Sequence, residues 1–265
     1  MKAATTVALA AFVLLAPGTR AADNAADLSS SFEKRTFTSP SGKVLLYRLM
    51  KPEGYDPAAP TAYPLVIFLH GLGERGTDNG AQLRHGVKDL ALPEARKRHS
   101  CFVVAPQCPP KDYWARFKIG SGDVLAVPAK EPTGPTVLAL ELADALPKEF
   151  HIDQKRVYLT GASMGGFGTW DILARYPDRF AAAMPVCGGG LEENAPAIAR
   201  VPLWVFHGAA DTLVKPLQSR RMVEAVRKAG GKPGYTEYPG VGHDAWTQTY
   251  RNPDVLDWLF AQKKE

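Results

Sequence analysis

The chain is poor in cysteine: three of 265 residues, at Cys101, Cys108 and Cys187. That count excludes a dense disulfide framework. An apolar run of eighteen or more residues is also missing, which excludes a multispan membrane protein. There is no internal repeat, low-complexity tract, phosphate loop or dinucleotide fingerprint. No His/Cys/Asp cluster has metal-ligand spacing. Neither a cofactor nor a metal is therefore expected. Charge of one sign does not dominate, with 32 basic against 27 acidic residues, a net of +5. The basic residues are scattered, so no nucleic-acid partner is expected. What remains is ordinary globular composition, 45% hydrophobic and 22% charged, in a chain long enough to bury a full core.

The first residues are a separate unit. Met1-Lys2 precedes the apolar run Ala3 to Ala16, which is followed by Thr19-Arg20-Ala21. A basic start, a short apolar stretch and small residues at −3 and −1 describe a secretory signal. Cleavage is predicted after Ala21, giving export to a periplasm or to the medium without a permanent membrane span. Loss of Lys2 and Arg20 takes the net charge from +5 to +3.

Residues 22–265 alternate short apolar runs with helical patterns. Strands are predicted at Arg35–Ser39, Val44–Met50, Leu65–Leu69, Phe102–Ala105, Val157–Thr160, Ala182–Val186, Leu203–Phe206 and Tyr235–Tyr238. Several are apolar throughout, as in parallel strands covered on both faces. The first two are more polar and read as an antiparallel edge hairpin. Helical spacing is predicted over Thr136–Phe150, Met164–Arg175, Leu217–Ala229 and Pro253–Ala261. The pattern predicts one α/β domain with a mostly parallel, doubly wound sheet of about eight strands. Residues 106–135 are rich in Pro and Gly and read as a long loop, serving function or only packing.

The chemistry begins at Gly161-Ala162-Ser163-Met164-Gly165. This G-x-S-x-G pentapeptide follows an apolar strand and precedes a helix, the setting of a nucleophile elbow. A tight turn there projects Ser163 Oγ from the sheet, and neighbouring backbone leaves no room for side chains at the glycines. A serine hydroxyl needs a base. In this architecture the chain order is serine, acid, histidine. His243, in the loop Pro239–Asp244, satisfies it, whereas His207 lies at a strand end before any suitable acid. Asp211 follows the strand ending at Phe206 by a tight turn and is the expected acid. Glu192, Glu193, Glu224 and Glu237 sit on an earlier loop, a helix and a strand. The backbone amides of Met164 and Leu72 are expected to form an oxyanion hole. His70 reads as a buried support of the loop carrying Leu72.

These motifs resemble those of α/β-hydrolase-fold serine esterases. The segments PLVIFLHGLGERGTDN, VVAPQCP, VYLTGASMGGFGTWDILARYPDRFAAAMPVCGG, PLWVFHGAADTLVKP and YPGVGHDAWTQTY carry the likeness. It is similar to the group of feruloyl and acetylxylan esterases, polyhydroxybutyrate-depolymerase-like proteins, phospholipase/carboxylesterases and the predicted peptidases grouped with them. The resemblance implies that Ser163, Asp211 and His243 form the triad of a carboxylic-ester hydrolase acting on an ester, polymer-attached in some members. A serine peptidase of the same fold and a non-catalytic binding protein are the alternatives.

Only Cys187 to Pro202 separates two of the strands, at a point where larger hydrolases insert a cap, so no cap domain and an open site are expected. The rim is expected to include Leu72, Glu74, Trp114, Met164 and Trp246. Trp246 could stack on a ring or simply pack its loop. Glu74 and Arg75 suit a solvated loop, or else contacts with a polar leaving group. Cys108 and Cys187 each follow a strand, about 10–14 Å apart at about 4.8 Å per strand. A disulfide needs Cα atoms within about 7 Å, so buried free thiols are predicted.

Overall fold

The computed structural model describes residues 27–120 and 123–265. The signal segment 1–21 lies outside the described residues.

An eight-stranded sheet runs through the molecule. Its strands are β1 (Glu33–Thr38), β2 (Val44–Met50), β3 (Tyr63–Leu69), β4 (Phe102–Pro106), β7 (Ile152–Ala162), β8 (Ala182–Val186), β9 (Trp204–Gly208) and β10 (Gly234–Tyr238). The spatial order is β1-β2-β4-β3-β7-β8-β9-β10. β1 and β2 form the expected antiparallel edge, and β2 runs antiparallel to β4. From β4 to β10 the pairs are parallel. This is the mostly parallel sheet that the strand–helix alternation predicts, in the α/β-hydrolase arrangement that the resemblance implies.

Alternation along β3 shows why the inner strands are apolar throughout. Leu65, Ile67 and Leu69 enter a core on one face, and Val66 and Phe68 enter a second core on the other. Successive side chains in a strand point to opposite faces, so burial on both requires a continuous hydrophobic run. The first core is closed by α2 (Gly134–Ala145) and α3 (Met164–Arg175), the second by α7 (Pro253–Ala261) and the short helical turn Val87–Ala91. The remaining helices are α1 (Pro93–Arg98), α4 (Ala195–Ile198), α5 (Leu217–Lys228) and α6 (Ala245–Arg251).

The differences from the sequence reading have local causes. The helix predicted to Phe150 leaves α geometry after Ala145 and continues as a 3-10 turn, Leu146–Lys148, at Pro147. Pro147 has no N–H to donate, which interrupts the helical ladder at this point. α1 is six residues of largely charged sequence without a buried face, so no apolar period marks it. The predicted loop 106–135 contains a second, two-stranded sheet, β5 (Phe117–Gly120) with β6 (Asp123–Ala126). Asp123 binds this hairpin to the β9–α5 connection: Oδ1 accepts from Lys215 N at 3.1 Å and Oδ2 from Gln218 Nε2 at 2.6 Å. Between β8 and β9 stand only the turn Glu192–Asn194 and the one-turn α4.

Candidate active site

Ser163 stands between β7 and α3 with φ 56° and ψ −116°, a backbone conformation that non-glycine residues rarely adopt. It is held there by backbone bonds on both sides, Ser163 N to Val186 O at 2.9 Å and Phe167 N to Ser163 O at 3.0 Å. Such conformations persist only where surrounding structure over-determines them. Gly165 shows how close the elbow lies to the sheet: a Cβ there would be 1.9 Å from Leu69 O. Helix α3 can begin at this height only because position 165 has no side chain.

The β9 and β10 ends are joined in the same way. Ala209 N donates to Tyr238 O at 2.9 Å, and Ala210 N to Val241 O at 2.8 Å. At Gly208 a Cβ would meet Gly242 O at 2.0 Å. This close approach brings Asp211 and His243, 32 residues apart, into contact.

Asp211 Oδ2 accepts from His243 Nδ1 at 2.6 Å, and His243 Nε2 lies 2.8 Å from Ser163 Oγ. With the Nδ1 proton committed to the carboxylate, Nε2 is left as the acceptor for the serine hydroxyl. Asp211 Oδ1 accepts from the amides of Leu213 at 2.9 Å and Val214 at 3.0 Å. Burial by itself would raise the Asp211 carboxyl. The hydrogen bonds from His207 and His243 outweigh it and hold the group well below the usual carboxylate range. The acid is therefore an anion that orients one imidazole tautomer.

His207 is the residue that sequence order passed over. It is wholly buried, its Nε2 donates to Val214 O at 2.9 Å, and the same nitrogen lies 3.2 Å from Asp211 Oδ2. Its Nδ1 is 2.7 Å from Ser219 Oγ. Asp211 thus lies between two histidines, one facing the serine and one facing the core. The only signal in the sequence is a histidine four residues before the acid, at the end of an apolar strand.

The loop after β3 lies against the elbow. A Cβ on Gly71 would be 3.7 Å from Ser163 Cβ. Leu72 opens the 3-10 turn Leu72–Glu74 and Met164 opens α3, positions whose amides have no acceptor within their own helices. His70 fastens this loop. Its Nδ1 donates to Gly71 O at 2.7 Å and its Nε2 accepts from Cys108 N at 2.9 Å. Burial pushes this imidazole down to about 4, so it stays neutral near pH 7. The expected supporting role of His70 is what the geometry displays.

Ser163 opens into a cleft of about 400 Å³. Leu72, Glu74, His85, His243 and Trp246 line one part of it; Ile119 and Val124 of the hairpin, with Leu213 and Val214, line another. Four expectations change here, the first being Met164, which is buried and does not line the cleft. Trp114 is not on the rim: it has no exposed surface, donates from Nε1 to His70 O at 3.0 Å and packs edge-on against the His70 ring. Its indole N–H finds its acceptor beneath the loop, which draws the ring inward. Glu74 is not on a solvated loop but only 6% exposed. Trp246 belongs to α6 rather than to a loop, and its ring meets His243 edge-on at 5.3 Å between centroids. Arg75 turns away, donating to Leu72 O at 3.1 Å and Asp112 O at 3.2 Å with its guanidinium over Tyr113.

All three cysteines are buried and unbonded. Burial pushes the thiols of Cys101 and Cys187 up to about 12, and that of Cys108 further in the same direction. Cys108 follows β4 and Cys187 follows β8, three strands apart in the sheet. Cys187, His207 and Asp211 offer donor atoms within 4.8 Å of one another. His207 and Asp211 are already committed to the network just described.

A serine hydroxyl, an oriented imidazole and a buried carboxylate in contact can move a proton off Oγ as it attacks a carbonyl carbon. The Esterase family model matches residues 43–189, from β2 through the elbow. The chain belongs to the esterase family. A dienelactone hydrolase family model also matches this esterase-family chain, over residues 136–257, the part that carries all three residues. It is 35% identical over 74 residues to the bifunctional acetylxylan esterase/xylanase XynS20E of Neocallimastix patriciarum, covering 28% of this chain and 11% of that protein. With the poly(3-hydroxyalkanoate) depolymerase C of Paucimonas lemoignei it shares 26% identity over 234 residues, 75% of this chain and 48% of the relative. The chain thus spans half or less of these two relatives. The crystal structure of a thermostable esterase superposes with a TM-score of 0.80 at 38% identity, over 89% of this chain and 64% of that one. The feruloyl esterase module from Clostridium thermocellum shares the fold, with a TM-score of 0.63 at 18% identity over 87% of this chain and 88% of that one.

Proposed function

We propose that this protein is an exported serine hydrolase that cleaves carboxylic esters through an acyl-enzyme. The observation that carries the reading is the unbroken relay from Asp211 through His243 to Ser163 Oγ at the floor of an open cleft. In the first half-reaction Oγ attacks the carbonyl carbon and its proton passes to His243 Nε2. The negative charge that forms on the carbonyl oxygen is received by the Leu72 and Met164 amides. Collapse breaks the ester C–O bond, and His243 returns the proton to the departing alkoxide. Water then attacks the acyl-serine with His243 again as base, releasing the acid and restoring Ser163. Asp211 holds the imidazole and stabilises the imidazolium.

The absence of a domain-sized insert between β8 and β9 suits bulky esters, including acetyl or feruloyl groups on polysaccharides and aliphatic polyesters. The family match and the polymer-directed relatives support that range. A panel of nitrophenyl esters, methyl ferulate, acetylated xylan, a polyhydroxyalkanoate and peptide amides tests it with wild type and Ser163→Ala. Ester turnover that falls at least about a thousandfold in the variant is expected. Amide turnover above ester turnover, or ester turnover that survives the substitution, overturns the proposal.

A further inference from the structure

The two sides of the cleft differ in chemistry. Ile119, Val124, Leu213 and Val214 form an apolar side. The other begins at His243, continues through Trp246 and His85, and ends at Glu74. The His243 and Trp246 rings are 5.3 Å apart, those of Trp246 and His85 5.6 Å apart, and His85 Nε2 is 3.8 Å from Glu74 Oε1. The Glu74 side chain is 7% exposed and lines the cleft, yet among the described residues no protein group donates a hydrogen bond to its carboxylate. His85 stands beyond hydrogen-bond range, and Arg75 is spent on backbone carbonyls. The carboxylate lines the cleft, so its donor must enter from there, as water or as part of a bound molecule. It is also close to the reacting centre. The position a Gly71 Cβ would take is 2.7 Å from Glu74 Oε2 and 3.7 Å from Ser163 Cβ.

With Ser163 as the nucleophile, a premise taken from the proposed function, the departing oxygen must face His243 Nε2 to take up its proton. The alcohol half of the ester therefore leaves along the Trp246–His85–Glu74 side, and the acyl half lies toward the hairpin. We propose that Glu74 is a specificity-determining residue that receives a hydrogen-bond donor, a hydroxyl or an ammonium, carried by the alcohol half of the substrate. A negative charge so near the developing oxyanion opposes it unless a donor on the substrate offsets that charge. Esters of plain alkanols leave it unpaired, and esters whose alcohol half carries a carboxylate are repelled.

The test compares the acetates of butanol, butanediol and dimethylaminobutanol with wild type, Glu74→Gln and Ser163→Ala. Glutamine keeps the shape and removes the charge, and unfolding midpoints establish that the variant folds. Wild type is expected to favour the donor-bearing acetates over butyl acetate in kcat/KM. In Glu74→Gln that ratio is expected to fall about tenfold, since hydrogen bonds to charged groups are stronger than neutral ones. A larger fall with the hydroxyl or with the ammonium ester identifies which donor the site takes. If wild type shows no preference, or the ratio changes less than twofold, the inference is overturned while Ser163-dependent turnover keeps the esterase reading intact. If Ser163→Ala retains turnover, it is the esterase reading that fails.

Discussion

Acidification should loosen this protein chiefly through the buried imidazole of His70. His70 is 1% exposed, and burial holds its pKa at about 4 against an ordinary 6.5. In the unfolded chain the same imidazole takes up its proton near 6.5. Because the folded pKa is the lower one, the stabilisation from keeping His70 neutral is fully present above about pH 6.5. It is lost as pH falls from there toward 4. At about 1.4 kcal/mol per pKa unit, the loss across that window is about 3 kcal/mol. That is a large share of a typical domain's stability. The structure also says what fails: a proton on Nε2 removes the acceptor for Cys108 N and frees the loop that carries Leu72. The carboxylates held low, Asp211, Asp78, Asp153 and Glu237, begin to lose their contributions only below about pH 5, so they overlap just the acid end of the window. His99 does share it, since burial lowers its pKa as well, with partial compensation from Asp257. The assay is urea unfolding of wild type and His70→Gln at half-unit steps from neutral to about pH 4. Wild type should lose stability with a slope approaching 1.4 kcal/mol per pH unit, and His70→Gln should be less stable near neutrality yet flatter with pH. Equal slopes in the two proteins would refute the reasoning, whatever their absolute stabilities.

Other substitutions and reagents probe the same construction. Trp114→Ala removes a ring with no exposed surface and the Nε1 bond to His70 O, and should cost about 3–5 kcal/mol in denaturant unfolding. A retained midpoint would mean that the ring is not part of the core. Gly165→Ala forces a methyl group to 1.9 Å from Leu69 O and should cost more than about 4 kcal/mol, read as loss of soluble folded protein. Thiol reagents should find no reactive cysteine in the native protein near neutral pH and three after unfolding, because burial pushes all three thiols upward. Fast labelling of the native state would contradict that burial.

The elements with strong period were legible in the sequence. β3, β4, β8 and the second half of β7, from Val157, are largely apolar because both faces of the sheet are covered, and such runs can be read without knowing what covers them. The candidate constellation was legible for a different reason. An elbow, an acid after one strand and a histidine after the next are local sequence features, and chain order sorted His243 from His207. Less was legible where burial depends on distant segments. Strands β5 and β6 are only four residues each, and they are fastened through Asp123 to Lys215 and Gln218, more than ninety residues away. Trp114 was misplaced because an aromatic in an irregular stretch shows no face.

From the residues alone came the architecture, the candidate serine, acid and base, and the turns that carry them, because each turn rests on contacts within one strand–loop–helix unit. Tertiary structure alone decided that Asp211 lies between two histidines. It also decided that Glu74 lines the cleft with no hydrogen-bond donor among the described residues, and that the two sides of the cleft differ in chemistry. Those properties arise where β3, β9, β10, α6 and the hairpin converge. No local pattern records the company a side chain keeps once the chain has closed over it.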